Sequence, residues 1–276
     1  MNKKWTASLS VGLLAGALVM AGCGNNSTGT DKSAADGQIT LKVGASPVPH
    51  AEILNNVKDT LAKEGIKLEI VEFSDYIQPN MALNDKELDA NYFQHKPYLD
   101  NFISEHHLKL VSVGAVHIEP MGIYSHSVKD LAAIPQGGKV AIPSDPTNGG
   151  RALLILQEAG LIKLNPDAGI TATVADITDN PKQLTFSELE AAQVPRALDD
   201  VAIAVINTNF AMEAGLTPSK DALQIESKES PYVNIIVVRQ GDENRPEIQK
   251  LMKALQSEST KTFLEKKYHG AIFPAF

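Results

Sequence analysis

The chain has 276 residues, of which 43% are hydrophobic and 21% are charged, a composition typical of a folded globular protein. Its 33 acidic and 25 basic residues give a formal net charge of −8. Because nucleic-acid binding requires a cationic surface that displaces phosphate counterions, this balance argues against a nucleic-acid partner.

The amino terminus has the pattern of a secretory signal. Basic Lys3 and Lys4 precede an apolar run, residues 6–22, which stops at Cys23, the single cysteine of the chain. The run is short for a membrane-spanning helix, which takes about 20 apolar residues, and no basic cluster follows it. We therefore predict a signal peptide over residues 1–22.

The residues around Cys23 indicate a lipid anchor. Met20-Ala21-Gly22 directly before a lone cysteine resembles the lipobox of bacterial lipoproteins, in which the signal is cut before the cysteine and the sulfur is lipidated. The following stretch is rich in Gly, Ser, Asn and Thr and has no large apolar side chain to bury. Residues 23–38 are therefore predicted to be a lipidated cysteine and a flexible tether.

From residue 39 the chain alternates strand-like and helix-like patterns. Apolar residues at period two predict a strand over residues 39–46, and an amphipathic helix over residues 50–64 ends at Gly65. A second strand over residues 66–73 completes a β-α-β unit, which implies a parallel sheet. Later elements are predicted in chain order: a helix over residues 80–89, strands over 108–118 and 137–145, a helix over 149–160, strands over 201–208 and 232–240, and one long amphipathic helix over 245–268.

This alternation predicts an α/β fold. The pattern alone leaves two arrangements open. Two lobes of about 100 residues each would suit the length and would leave a crevice for a ligand between them, whereas a single doubly wound sheet is the competing arrangement.

The motifs of common enzyme classes are absent from the sequence. It contains no G-x-S-x-G elbow, Walker A loop, G-x-G-x-x-G turn or H-E-x-x-H motif. With Cys23 assigned to the lipid, no cysteine remains as a nucleophile, and among the many carboxylates no pair stands out. We predict no enzymatic activity, no catalytic residues and no cofactor.

The histidines do not show the spacing of a metal site. Only His106 and His107 are adjacent, and they lie at a polar helix end, where solvated side chains are the ordinary arrangement. No metal ligands are therefore predicted. The seven histidines are His50, His95, His106, His107, His117, His126 and His269.

The stretch "IPSDPTNGGRALLILQ", residues 142–157, has features of an anion site. A turn rich in proline and glycine precedes a helix predicted to start at or just before Arg151, with Thr147 or Asn148 as its cap. Free backbone N–H groups at a helix start attract an anion, and the Arg151 guanidinium is suited to a carboxylate or phosphate. An ordinary cap beside a solvated arginine is the alternative, but the aliphatic helix that follows favours a carboxylate site.

The stretch "LDANYFQHKPYLD", residues 88–100, combines Tyr92, Phe93 and His95. The local pattern is compatible with a core fragment, a metal site, a catalytic loop or the wall of a pocket.

Several longer runs resemble the NlpA-type lipoproteins, the methionine-binding receptors of ABC importers. The resemblance extends from residue 39 to residue 276. It implies a periplasmic-binding-protein fold, in which two lobes joined by two hinge crossings close on a ligand, and a monomeric receptor on the extracytoplasmic side of the cell membrane that delivers methionine to a permease and its ATPase. The runs that carry it are "SDYIQPNMALNDKELDANYFQHKPYLD", "IPSDPTNGGRALLILQEAGLIKL", "DITDNPKQLTFSELEAAQVPRALDD", "AVINTNFA" and "KESPYVNIIVVR".

The resemblance also implies which residues bind the ligand. It assigns the thioether pocket to Tyr76, Phe93 and His95, with Tyr124 lining the same cleft. It assigns the amino-acid clamp to four further residues, of which the first takes the carboxylate: Arg151, Asn207, Asn234 and Asn148. Tyr92, one residue before Phe93 and therefore pointing elsewhere, is predicted to pack in the core.

Two features stay open within the resemblance. Some relatives have an aromatic residue at or near Glu119, so the roles of His117 and Glu119 are not assigned: Glu119 either binds an ammonium group or is a solvated hinge residue. A methionine-containing dipeptide is an alternative ligand, and a metal-binding lipoprotein is a more distant one.

The two-lobe interpretation predicts where the chain changes lobe. It crosses near Tyr124 and returns near Tyr232. The first lobe is then residues 39–123 plus 233–276, and the second is residues 124–232.

Overall fold

The computed structural model describes residues 38–276. The predicted signal peptide, Cys23 and all but the last residue of the tether lie outside these residues. Thirteen strands are present in the described part of the chain: β1 Ile39–Ala45, β2 Ile66–Glu72, β3 Ala90–His95, β4 Leu110–Ile118, β5 Gly122–Tyr124, β6 Lys139–Pro143, β7 Lys163–Leu164, β8 Ile177–Asp179, β9 Thr185–Leu189, β10 Ile203–Ile206, β11 Gln224–Ile225, β12 Val233–Arg239 and β13 Phe273–Pro274.

Eight α-helices accompany these strands within residues 38–276. Short helical turns, among them Pro47–Ala51 and Ala191–Ala197, complete the regular structure. The helices are α1 Glu52–Lys63, α2 Gln78–Asn84, α3 Lys96–His106, α4 Pro146–Glu158, α5 Thr208–Glu213, α6 Pro218–Asp221, α7 Pro246–Leu255 and α8 Glu258–Tyr268.

The first lobe is built on a six-stranded sheet in the order β13-β4-β12-β3-β1-β2. Its strands β1, β2 and β3 are parallel, and β12 runs antiparallel between β3 and β4. The apolar face of α1 packs on this sheet through Ile53, Leu54, Val57 and Leu61, all of which are buried. The predicted β-α-β unit at the start of the body is thus confirmed.

The second lobe is built on a five-stranded sheet in the order β11-β5-β10-β6-β9. Helix α4 lies against it and buries Leu153, Ile155 and Leu156 in the core of this lobe. Strand β10, Ile203–Ile206, is buried over its whole length, as its continuous apolar run predicts.

The chain changes sheet twice between these lobes. Strand β4 of the first sheet ends at Ile118 and β5 of the second begins at Gly122. The chain returns between the end of β11 at Ile225 and the start of β12 at Val233. Two short crossings therefore join the lobes.

Three local predictions need correction. The carboxyl-terminal helix is interrupted after Leu255, because the Ser257 hydroxyl accepts the Thr260 N–H and starts α8 as a new helix. Helix α2 ends at Asn84, earlier than the predicted residue 89. Helix α4 starts at Pro146, five residues before Arg151. In the described part of the chain, every helix is too short or too polar to cross a lipid bilayer.

Candidate ligand-binding site

A small cavity lies between the two lobes, where side chains from both sheets meet. Seven of the eight residues that the resemblance assigned to ligand binding line it, together with six others. The lining residues are His50, Tyr76, Phe93, Gln94, His95, Tyr98, Glu119, Asn148, Arg151, Asn207, Thr208, Asn209 and Asn234.

Strand ends position several of these side chains. His95 ends β3, Glu119 follows the last residue of β4, and Asn207 follows the last residue of β10. In α/β folds, ligands bind outside the carboxyl ends of the strands, where side chains from several segments meet. The cavity follows this rule in both lobes at once.

His95 connects the two lobes across the cavity. Its Nδ1 accepts the Tyr98 N–H at 3.1 Å and so caps helix α3. The proton is then on Nε2, which donates to the Asn148 amide oxygen of the other lobe at 3.0 Å. Burial lowers the pKa of His95 to about 3, with the nearby Arg151 charge acting in the same direction. His95 is therefore a neutral hydrogen-bonding group at physiological pH.

Arg151 lies in the cavity wall but has a partner of its own. Its Nε and Nη2 donate to the Glu226 carboxylate at 3.1 and 2.5 Å, and Nη2 also donates to the Glu119 backbone oxygen at 2.8 Å. The Tyr232 ring covers the guanidinium at 4.3 Å. Within residues 38–276, Nη1 has no hydrogen-bond partner. One nitrogen of the planar guanidinium group is therefore available at the cavity.

The start of helix α4 differs from its sequence prediction. Asp145, rather than Thr147 or Asn148, is the cap, and its carboxylate accepts the Asn148 N–H at 2.9 Å. A carboxylate at this position already satisfies a free N–H group and the helix dipole. The Asn148 and Gly149 N–H groups are therefore already paired with Asp145, and the cation that faces the cavity is Arg151.

Three asparagines form the polar side of the cavity. Asn207 donates from Nδ2 to the Asn148 oxygen at 2.8 Å, and Asn234 accepts from His50 Nε2 at 3.0 Å. Within the described chain, Asn207 Oδ1 and Asn209 Nδ2 are buried without a hydrogen-bond partner. Because buried polar atoms are nearly always paired, an acceptor and a donor at this cavity are suited to a polar ligand.

Aromatic rings form the opposite side. The Tyr76 ring centroid lies 5.9 Å from that of Phe93, 5.8 Å from that of Tyr98 and 4.8 Å from that of Phe210 in the second lobe. The Tyr76 hydroxyl also donates to the Asn209 oxygen across the cleft. Aromatic edges and faces of this kind favour an apolar or thioether side chain.

Tyr124 does not line the cavity, which corrects the expectation for this residue. It is the last residue of β5 and packs with Ala204, Ile206 and Val194 in a core cluster of the second lobe, where it is 1% exposed. Its ring covers the backbone of Gly122, where an added Cβ would lie 2.8 Å from the ring. Tyr124 therefore supports the sheet behind the cleft.

Glu119 is buried, with 6% of its surface exposed, so the alternative of a solvated hinge residue is wrong. Its carboxylate lies 2.6 Å from His117 Nε2 and 3.2 Å from His50 Nε2. Tyr92 is fully buried in the core, as predicted, and its hydroxyl hydrogen-bonds to His117 Nδ1. In the described residues, the three groups close enough to hold one metal ion are His50, His117 and Glu119, not the His106–His107 pair considered from sequence.

Comparison with known proteins identifies the family. The profile of the NlpA lipoprotein family matches residues 41–276. The chain belongs to the NlpA lipoprotein family. It is 44% identical over 252 residues to a probable D-methionine-binding lipoprotein MetQ of Vibrio cholerae, covering 91% of this chain and 90% of the relative. It is 42% identical over 267 residues to the methionine-binding lipoprotein MetQ of Bacillus subtilis, covering 95% and 96% of the two chains.

Solved structures of related proteins have the same fold. A nutrient-binding protein from Burkholderia cenocepacia bound to methionine superposes with a TM-score of 0.83 at 48% identity, covering 86% of this chain and all of the other. The predicted two-lobed α/β binding-protein fold is therefore confirmed. Membership of the NlpA family also confirms the expectation of a substrate-binding lipoprotein rather than an enzyme.

Sequence reasoning missed several residues of the NlpA-family cavity. His50 lines the cavity and lies next to Glu119, and Glu226, behind the lining, supplies a carboxylate to Arg151; neither residue belongs to the runs that carry the resemblance. One signal was available for His50, since it follows Pro47 and Pro49 directly after strand β1, at the carboxyl edge of a parallel sheet. Glu226 had no comparable signal, because its position depends on the return crossing between the lobes.

Proposed function

We propose that this NlpA-family lipoprotein captures methionine between its two lobes, as a single chain, and delivers it unchanged to an ABC importer. The observation that carries the proposal is a cavity with Arg151 and unpaired amide atoms on one side and aromatic rings on the other. Methionine has the matching parts, namely a charged amino-acid head and a polarizable thioether tail. The relatives named as methionine-binding support the same ligand.

In this proposal the ligand spans both lobes. Arg151 Nη1 binds the carboxylate, and the amides of Asn148, Asn207 and Asn234 bind polar atoms of the amino-acid head. Tyr76, Phe93 and His95 of the first lobe contact the side chain. Because closure is a population shift, a ligand favours the closed form only through contacts with both lobes.

The proposal includes the lobe boundaries and the anchor. The lobes are residues 39–123 plus 233–276 and residues 124–232, which agrees with the strand composition of the two sheets to within a few residues. A lipid on Cys23 holds the receptor on the extracytoplasmic face of the cell membrane, where the tether keeps it near its permease and ATPase. The names of the relatives as lipoproteins support this location.

The proposal is tested by calorimetric titration of the full chain in detergent, after unfolding and refolding to remove any bound ligand. L-methionine, D-methionine and a methionine-containing dipeptide are compared. We expect one site that binds at least one methionine enantiomer more tightly than the dipeptide. Absence of methionine binding at millimolar concentration would contradict the proposal. Tighter binding of the dipeptide would show that the dipeptide, not methionine, is the ligand.

Arg151→Ala tests the carboxylate contact in the same assay. Loss of a charge-assisted hydrogen bond is expected to weaken methionine binding about 10- to 100-fold. Arg196→Ala, which removes an exposed arginine, is the matched control and should bind as the wild type does. If Arg151→Ala keeps wild-type affinity and a native circular dichroism spectrum, Arg151 is not part of the site.

A further inference from the structure

Glu119 is the only carboxylate that lines the cavity among the residues that the structure describes. It lies immediately after β4, at the first crossing between the lobes, and is 6% exposed. An ionised carboxylate removed from water is costly unless a cation or several hydrogen bonds compensate it. The partners of Glu119 therefore indicate what it can bind.

Its two histidine neighbours supply no charge: His117 forms a hydrogen bond to it, whereas His50 Nε2, 3.2 Å away, donates to Asn234. Because a carboxylate accepts hydrogen bonds, His117 donates to Glu119 from Nε2 at 2.6 Å, and its unprotonated Nδ1 then accepts from the Tyr92 hydroxyl. Burial lowers the pKa of His50 to about 4 and that of His117 to about 3, so both rings are neutral. Burial raises the pKa of Glu119, so a cation beside it in the cavity would hold this carboxyl group in its ionised form.

Arg151, the nearest cation, is already paired. Its guanidinium forms an ion pair with Glu226, and it contacts Glu119 only through the backbone oxygen. A buried carboxyl group and a guanidinium with one unused nitrogen thus border the same small cavity. The 2.8 Å contact between Arg151 Nη2 and the Glu119 backbone oxygen places these two residues side by side at the cavity.

We propose that Glu119, held by His117, binds the α-ammonium group of the ligand. The inference rests on the proposed function and adds its specificity: the receptor selects compounds with a free, protonated amino group beside the carboxylate. The unpaired Asn207 Oδ1 provides a second acceptor for the same group.

The test compares two ligands that differ only at the amino position. L-methionine and 2-hydroxy-4-(methylthio)butanoate share the carboxylate and thioether, but the second has a hydroxyl group instead of the ammonium. Both are titrated into the ligand-stripped full chain in wild-type and Glu119→Gln forms. Glu188→Gln, which makes the same change at an exposed position of β9, is the control.

We expect the wild type to bind methionine about 100-fold more tightly than the hydroxy acid, because a buried carboxylate would lose its cation. In Glu119→Gln this ratio should fall to about 3-fold or less, through loss of methionine affinity, whereas Glu188→Gln should keep the full ratio. Thermal unfolding followed by circular dichroism checks that each variant is folded.

The outcomes separate this inference from the proposed function. A wild type that does not bind methionine overturns both. If the wild type binds methionine and Glu119→Gln keeps the same affinity ratio between methionine and the hydroxy acid, only the role of Glu119 is overturned. The same conclusion follows if the wild type binds the two ligands with affinities within threefold of each other, whatever the variant does. Titration with zinc chloride alone covers the metal alternative: zinc binding that Glu119→Gln abolishes, with methionine affinity unchanged, would assign these side chains to a metal site instead.

Discussion

His50, His95 and His117 are fully or almost fully buried around the cavity, and each is held as a neutral ring. Burial is the main cause of the lowered pKa of each ring: from the ordinary value of 6.5, it falls to about 4 for His50 and to about 3 for His95 and His117. Neutral rings suit this site, since each uses its N–H to position a neighbouring oxygen without adding positive charge near Arg151.

These pKa values predict that acid destabilises the protein. The folded-state values lie below the unfolded value, so the stabilisation is complete above about pH 6.5 and is lost as pH falls towards 4. Each histidine contributes a slope of up to about 1.4 kcal/mol per pH unit in this window. Burial raises the pKa of Glu119, so this group destabilises the folded protein as pH rises above its ordinary pKa. Its effect is opposite to that of the histidines and offsets part of the loss of stability in acid.

Urea unfolding of the purified protein between pH 7.5 and pH 5 measures this dependence. His50→Gln should lower the slope of the unfolding free energy against pH by the contribution of one proton, about 1.4 kcal/mol per pH unit at most. His106→Gln, at a surface position, is the control and should leave the slope unchanged. A free energy of unfolding that is constant over this range, or a slope that His50→Gln does not alter, would contradict the neutral buried state.

At the residue scale, the motif-based assignments account for most of the cavity lining but not for its electrostatics. Arg151, Asn207 and Phe93, each of which lies in a run that resembles the family, line one cavity. The pairing of Arg151 with Glu226 depends on the tertiary fold, and no local pattern predicts it. The burial of Glu119 likewise becomes evident only when both lobes are in place.

At the element scale, helix α4 explains the paired glycines that precede Arg151. A Cβ added to Gly150 would lie 2.3 Å from the Ile170 backbone oxygen and 3.0 Å from the Ala172 nitrogen. Glycine within a helix costs about 1 kcal/mol relative to alanine, yet here it permits the close approach of a neighbouring turn. That turn, Gly169–Thr171, packs beside the same helix that carries Arg151.

We therefore expect Gly150→Ala to destabilise the protein by about 1–2 kcal/mol, despite its higher helix propensity, since backbone atoms cannot move aside easily. Gly114→Ala is the matched control. Its added Cβ would meet the end of the flexible Met252 side chain, so its effect should be smaller. Chemical denaturation compares the two, and a neutral or stabilising Gly150→Ala would show that propensity outweighs the contact.

Local patterns predicted element types better than element ends. The strand and helix periods over residues 39–73 are set by neighbouring residues, and the structure has them as predicted. The division of the last helix depends on the Ser257 cap, whose hydroxyl competes with the helix backbone within an otherwise continuous pattern. The sequence did not identify Asp145 as the cap of α4, because Asp145, Thr147 and Asn148 are all residue types that cap helices.

At the scale of the whole molecule, the two lobes meet through polar contacts around the cavity. His95 with Asn148 and Tyr76 with Asn209 are hydrogen bonds from one lobe to the other. The sequence pattern alone left one sheet or two sheets open, because alternating strands and helices fit both. The family resemblance, rather than periodicity, distinguished them, and the two separate sheets agree with it.

The mass of the bound molecule tests most directly whether the two lobes hold methionine. Ligand-stripped full chain is incubated with an equimolar mixture of the proteinogenic amino acids and methionine-containing dipeptides, and the complex is weighed by native mass spectrometry. We expect one bound equivalent with the mass of methionine, and a smaller bound fraction in Arg151→Ala and in Glu119→Gln. A complex with the mass of another amino acid or of a dipeptide, or a chain that remains free in the mixture, would contradict this expectation.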